Sequence, residues 1–322
     1  MSRTTHELAQ ETASPDEGLV VTEFIAFLKA TSEKQHPTGV VPRFNQGRAA
    51  GCVDAEFTVA ADLPADLRVG LFATAATYAA RIRFAHASTD SDKDKDVRGM
   101  SIKVAGVHGT NLTPDVTTQD FVLNSHPVMM VGASADFLDL LRAVEAGGAR
   151  EIAFFARHPR AAGIALASRQ HHTSHLEIPY WSTTPYLFGA GRAVKYYARP
   201  LNAGTTPVPD PLTDHYLRDR LVAHLASKEA LFELMVQVQT DAKDQPIEDA
   251  SVEWKEKDSP YRSVARIRIP PQTVGGEAGD TACERMTFNP WNALAEHRPL
   301  GNYNRARKSI YQAMAAFRAQ RG

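Results

Sequence analysis

A chain of 322 residues with 43% hydrophobic content can bury a sizeable core, as one large domain or two of ordinary size. Its 36 basic and 37 acidic residues leave a net charge of -1, which argues against nucleic acid or an anionic membrane surface as the main partner. The polar, acidic N-terminus carries no apolar leader segment and no apolar run is long enough to span a bilayer, so the chain is expected in the cytoplasm.

Residues 1–17 read as a disordered tail and 18–322 as a single domain, with no internal repeat and no linker. Leu19, Val20, Phe24, Phe27 and Leu28 then fall at helical spacing until HPTG breaks the pattern. Val53, Ala55, Phe57 and Val59 alternate with polar residues, as do Ile82 and Phe84, then Met100, Ile102 and Val104, and each set predicts a strand. The charged run TDSDKDKD at 89–96 predicts a solvated loop between two of them. QDFVLN and PVMMV read as a further strand broken at Pro127, and Ser134 opens a helix that GG at 147–148 ends. More helix runs to about residue 170, and TTPYLFGAGRAVKYYARP predicts two short strands around a glycine turn.

Four prolines between 200 and 213 predict a surface crossing, followed by a helix from Asp214 to about Ser227. Phe232, Leu234, Val236 and Val238 alternate, as do Ala265, Ile267 and Ile269, which predicts two more half-buried strands. Roughly eight strands with helices inserted mid-chain and at the end predict an α+β fold whose antiparallel sheet closes into a β-barrel. Cys52 and Cys283 are far apart and in no CxxC pair, so neither a zinc cage nor a disulfide framework is expected. Both read as small buried hydrophobes.

The last twenty residues carry the strongest chemical signal. Arg307, Tyr311, Met314 and Arg318 recur every three or four positions and share one helix face. A tyrosinate can be an axial ligand to haem iron, an arginine beside it favours the phenolate, and a second arginine further on can meet a propionate. The same pattern also suits a surface helix face with its guanidiniums in solvent.

Set beside RFNQGRAAGC at 43–52, RIRFAH at 81–86, VRG at 97–99 and DFVLNSHP at 120–127, this stripe gives the chain an order that resembles the catalase superfamily over nearly its whole length. The likeness is strongest to the small, minimal branch of catalase-related haem peroxidases, through segments such as LRVGLFATAATYAARIRF and FNPWNALAEHRPLGNYNRARKSIY. The resemblance implies a haem b cofactor with Tyr311 as the axial tyrosinate and metal ligand, and Arg307 as the arginine that keeps it ionised. It implies Arg318, Arg83 and Arg43 as holders of the propionates, and Asn124 as the distal asparagine, although NSHP stands where the family has variants of NNTP. His36 and His126 are alternative entrants to the distal pocket, or structural histidines.

One departure outweighs these matches. The family's first motif reads approximately R-x-x-H-x-K-x-x-G, and here Gln46 occupies the place of the histidine that works as acid and base. Ala85 stands where catalases place a serine that supports that histidine. A carboxamide has no proton to exchange near neutral pH and only hydrogen-bonds, so efficient peroxide disproportionation is not expected. Gln46, Asn124 and Arg307 are the catalytic candidates. The resemblance implies a haem-dependent oxidoreductase, peroxidase-like, that oxidises a small organic molecule with hydrogen peroxide as possible co-substrate. Rearrangement or dehydration of a hydroperoxide or N-oxygenated substrate is the alternative, and a non-catalytic haem-binding protein is a third reading. Large catalases assemble through an N-terminal arm that this chain mostly lacks, so a monomer or homodimer is expected.

Overall fold

Alternation fixes which side chains face inwards, and the strands follow it. In the computed structural model, which describes residues 7–201, 204 and 206–321, Ala49–Val59 forms β1, Thr77–His86 β2, Arg98–Ala105 β3 and Thr118–Asn124 β4. Tyr180–Trp181 is β5, Tyr186–Leu187 β6, Ala193–Pro200 β7, Ala230–Val238 β8 and Tyr261–Ile269 β9. All pairings are antiparallel, in the order β5-β4-β3-β2-β1-β9-β8-β7-β6. Because β5 also pairs with β7, eight strands form a closed ring with β6 added outside it. The predicted closed antiparallel barrel is thus the fold observed. Its interior is filled by Phe57, Ile82, Ile102, Phe121, Tyr196, Val236 and Ile267, all almost fully buried. Each such side chain contributes roughly 1.5–3 kcal/mol relative to exposure. Aromatic contacts tie opposite walls together, with Phe121 edge-on to Tyr196 at 4.9 Å between centroids.

Seven helices lie outside the ring among the described residues: α1 (Glu17–Gln35), α2 (Ser134–Ala146), α3 (Gly148–Arg157), α4 (Pro159–Ser168), α5 (Tyr216–Leu225), α6 (Glu277–Arg285) and α7 (Asn302–Ala319). Phe24 and Leu28 of α1, Leu138 of α2, and Ile310 and Met314 of α7 share one apolar cluster, which packs the three helices together. Met314, on the stripe that carries Arg307, Tyr311 and Arg318, packs against this cluster. The α2 helix ends as predicted, with Gly147 at φ 62° and its N–H bonded to the last turn.

Several expectations need correction. PVMMV is not a strand; its backbone turns aside after Pro127 and Met129 donates to the carbonyl of Ala250 in a distant loop. The run at 89–96 is not simply solvated. Asp92 and Asp96 are buried, Asp92 on His86 and Arg48 and Asp96 on Ser88, Thr89 and Arg98, because basic groups from other elements converge there. Burial, then the charges of Arg98 and Arg48, hold His86 down to about 3, so its imidazole is neutral. The cysteines are not separate hydrophobes: Cys52 of β1 and Cys283 of α6 form a disulfide with Cα atoms 5.5 Å apart. The fold brings together two positions 231 residues apart in sequence.

Of the expected disordered tail, residues 1–6 lie outside the described residues, as do 202, 203 and 205 of the proline-rich crossing. Residues 7–16 are tied to the body of the protein by Glu11 and by the Ala9 and Thr12 N–H groups, which donate to Gln239 and Glu248. Glu11 pairs with Arg298 and Arg305, and Arg305 also holds Glu17 and Glu248. Arg305 and Asn302 hold Glu17 down to about 2, against an ordinary value of 4.5. A carboxylate whose pKa falls on folding adds stability that is complete above its unfolded value and is lost as the pH drops through the folded one. Thermal unfolding should therefore show a midpoint that falls between about pH 4.5 and 2. The Arg305→Ala variant should melt lower at neutral pH and depend less on pH across that window. Parallel pH profiles for the two proteins would contradict this account.

Candidate functional site

On β2 the alternation continues, yet its outward row is buried where helices and loops cover the barrel wall. Arg83 is 2% exposed and sits opposite Ser101 on β3, in register with Val122 on β4. The next outward row is Ala85, Gly99 and Asn124. The loop before β1 folds over this row. Gln46 lies so close above Gly99 that a Cβ added there would come within 2.4 Å of its carboxamide. Its own backbone is left-handed, at φ 57°, a conformation that costs a non-glycine residue and clusters at functional sites. The turn is secured by Gln46 N–H donating to the Ala87 carbonyl at 2.9 Å and by Arg83 donating to the carbonyls of Gln46 (2.8 Å) and Gly47 (3.2 Å). Gln46 Nε2 donates to Asn124 Oδ1 at 2.8 Å.

Arg83 also leads to the other arginines. Its Nη2 lies 3.1 Å from Glu284, whose second carboxylate oxygen is 2.6 Å from Arg43 Nη1. The Glu284 carbonyl accepts from Arg318 at 3.1 Å and from Arg43 at 3.3 Å, and Arg43 donates to the Met286 carbonyl as well. Burial, then the neighbouring Arg83 charge, pull Arg43 down to about 9, with Glu284 opposing. Burial lowers Arg83 and Arg318 in the same direction.

The remaining residues come from α7. Arg307, Tyr311 and Arg318 share a face, with Tyr311 half-buried. Arg307 is tied down by Thr184 Oγ1 at 3.1 Å and Asn304 Oδ1 at 3.2 Å. Tyr311 and Arg318 are two turns apart, about 10 Å along the axis. The structure thus joins Arg43, Arg83, Arg318, Gln46 and Asn124 through shared partners, and sets Arg307 and Tyr311 on the helix that supplies Arg318. His36 ends α1, and its carbonyl accepts from Arg321. His126 is half-buried, shifted down by burial and opposed by Glu253. Neither bonds to Gln46 or Asn124. Glu284, the centre of the arginine group, was not foreseen: no periodicity marks it, and only the fold brings it near Arg43, Arg83 and Arg318.

These side chains fit a haem in the chemistry of their donors. Arg43 and Arg83 meet the Glu284 carboxylate and Arg318 meets its main-chain carbonyl, so three guanidiniums gather around one carboxylate-bearing residue with an excess of two positive charges that suits the two carboxylates of a porphyrin. Arg83 Nε is buried with no hydrogen-bond partner among the described residues, so a donor is left over in a place where an unmet one is costly. Tyr311 offers a phenol oxygen on the face of α7 that carries Arg318.

No family model matches the chain, and no curated protein matches it by sequence. Among solved structures, a fungal catalase at 1.9 Å superposes with a TM-score of 0.71 and 15% identity, covering 99% of this chain and 66% of that one. A bacterial catalase superposes with a TM-score of 0.67 and 15% identity, covering 99% of this chain and 64% of that one. The chain spans about two-thirds of the length of these proteins. Among the described residues no helix is long and apolar enough to cross a membrane. At such identity the likeness concerns architecture, and the architecture is that of the catalases: a closed antiparallel barrel wrapped by helices.

Proposed function

We propose that the chain is a haem-dependent oxidoreductase on a catalase-like scaffold, which uses peroxide to oxidise a small organic substrate and has weak or no catalase activity. Tyr311 would be the axial ligand with Arg307 near it, and Arg43, Arg83 and Arg318 would hold the propionates. Haem, when bound, supplies the redox centre at which peroxide reacts. The observation that carries the reading is the carboxamide pair above Gly99. Gln46 Nε2 is engaged by Asn124, which leaves Gln46 Oε1 and Asn124 Nδ2 to orient an incoming hydroxyl or peroxide. Neither group can take a proton and return it, and lack of such a group typically lowers a rate by about two to four orders of magnitude. Disproportionation suffers most, because its second peroxide must also surrender protons. A donor that carries its own exchangeable proton suffers less.

The test is to titrate the purified protein with haemin and then supply peroxide with a phenolic donor. A coloured ferric complex that oxidises the donor with little oxygen release supports the proposal. Vigorous oxygen release overturns the claim of weak catalase activity, and a coloured complex without turnover points to a haem carrier.

A further inference from the structure

Glu284 is held in place in an unusual way. It belongs to α6, a helix of nine residues whose only buried side chain is Cys283. A helix this short is not stable by itself. Its outer face, with Ala278, Ala282 and Arg285, is open to solvent, and among the described residues no element packs against that side. Apart from the bonds of Glu284 itself and of Arg43 to the Met286 carbonyl at its end, the ties on it among the described residues are the ion pair of Arg218 with Asp280, half-exposed and hence weak, and the disulfide to Cys52 on β1. The approach to β1 is tight, because a Cβ at Gly51 would lie 2.8 Å from Val274 of the preceding loop. The disulfide therefore fixes the residue directly before Glu284.

Without the Glu284 carboxylate, Arg43, Arg83 and Arg318 would repel one another in a half-buried place. With it Arg43 and Arg83 are paired beside Arg318, which the Glu284 main-chain carbonyl holds, and the group keeps two positive charges for an outside dianion. We propose that the Cys52–Cys283 disulfide is a redox latch on the cofactor, resting on the haem reading above. Closed, it keeps Glu284 where it positions the three arginines for the two carboxylates of haem; opened by a dithiol, it frees α6 and speeds release of the cofactor. Cys52 is the half-exposed partner and Cys283 the buried one, so the reductant's thiolate attacks Cys52 Sγ. The S–S bond breaks and the Cys283 sulfur leaves as a thiolate that takes a proton. The reductant's second thiol then displaces Cys52, which leaves two protein thiols and a disulfide in the reductant, a transfer of two electrons. In a reducing cytoplasm the latch stands open, and an oxidant closes it.

The experiment follows transfer of haemin from the loaded protein to a haem scavenger. Protein reduced beforehand with dithiothreitol and freed of it should release haemin about tenfold faster or more than the oxidised form, the equivalent of losing one charge-assisted hydrogen bond. Glu284→Gln should release fast in both states, and Glu284→Asp, which keeps the charge, should recover part of the slow release. Haemin dimethyl ester, with its carboxylates masked, should leave at one rate in both states. Equal haemin release from the oxidised and reduced protein, once two free thiols have been counted, would overturn the latch, as would equal sensitivity of the ester. Amide exchange of residues 277–285 in protein without haemin gives a second readout: reduction should accelerate it, and unchanged exchange also overturns the latch. If haemin binds in neither state, the haem reading fails, while the exchange measurement still decides whether the disulfide holds α6.

Discussion

Replacing Tyr311 by phenylalanine is expected to abolish the ferric tyrosinate spectrum of the haemin complex and to weaken haemin binding by more than about 100-fold, beyond the roughly 10–100-fold typical of losing an outer partner of a metal ligand. The fold should survive. Packing of α7 rests on Ile310, Met314 and Phe317 and on the Asn304 bonds to Pro185 and Leu300, none of which uses the Tyr311 hydroxyl. Absorption spectra and haemin titrations, compared at equal circular dichroism, measure the effect. Full pigment in Tyr311→Phe would remove the phenol from the site, and with it the proposed function.

The second large effect runs the other way. Gln46→His should raise the rate of peroxide breakdown by about 100-fold, within the range that a positioned acid-base group supplies. Position 46 can accept the change, since histidine tolerates the left-handed backbone better than most residues and the imidazole would lie over Gly99, where no side chain competes. The gain should be incomplete, because fully buried Ala85, in register with Gly99, offers no hydroxyl to orient the ring. Gln46→His/Ala85→Ser should therefore exceed the single variant. An oxygen electrode reads both rates, and a rise of less than about tenfold in Gln46→His would refute the role proposed for Gln46 in weakening catalase activity.

Different parts of the molecule were legible in the sequence to different degrees, for physical reasons. The barrel strands announce themselves because each has one face in the core, so Phe57, Ile82, Ile102 and Ile267 alternate with polar neighbours. The α6 helix has no such pattern. EAGDTACER buries nothing but Cys283, and a disulfide spanning 231 positions has no local signature. Asp92 and Asp96 mislead for the opposite reason: their segment looks solvated by composition, while the charges of Arg48 and Arg98 and the neutral ring of His86 arrive from elsewhere to meet them. Arg83 shows the limit of periodicity. Its place on a strand was evident, but a polar outward row normally meets water, and only tertiary cover makes it a buried donor. The grouping of α7, Arg43 and Asn124 as one candidate site came from the resemblance rather than from spacing.

Gln46 hangs from a loop, whereas Arg83 and Asn124 are strand residues and Tyr311 is carried by a helix packed elsewhere. The side chain that would choose the reaction thus sits on a loop that Arg83, which would grip the cofactor, anchors only through the main-chain carbonyls of Gln46 and Gly47. On the proposed function, exchanging the Gln46 side chain would alter the chemistry while leaving that anchorage and the barrel as they are.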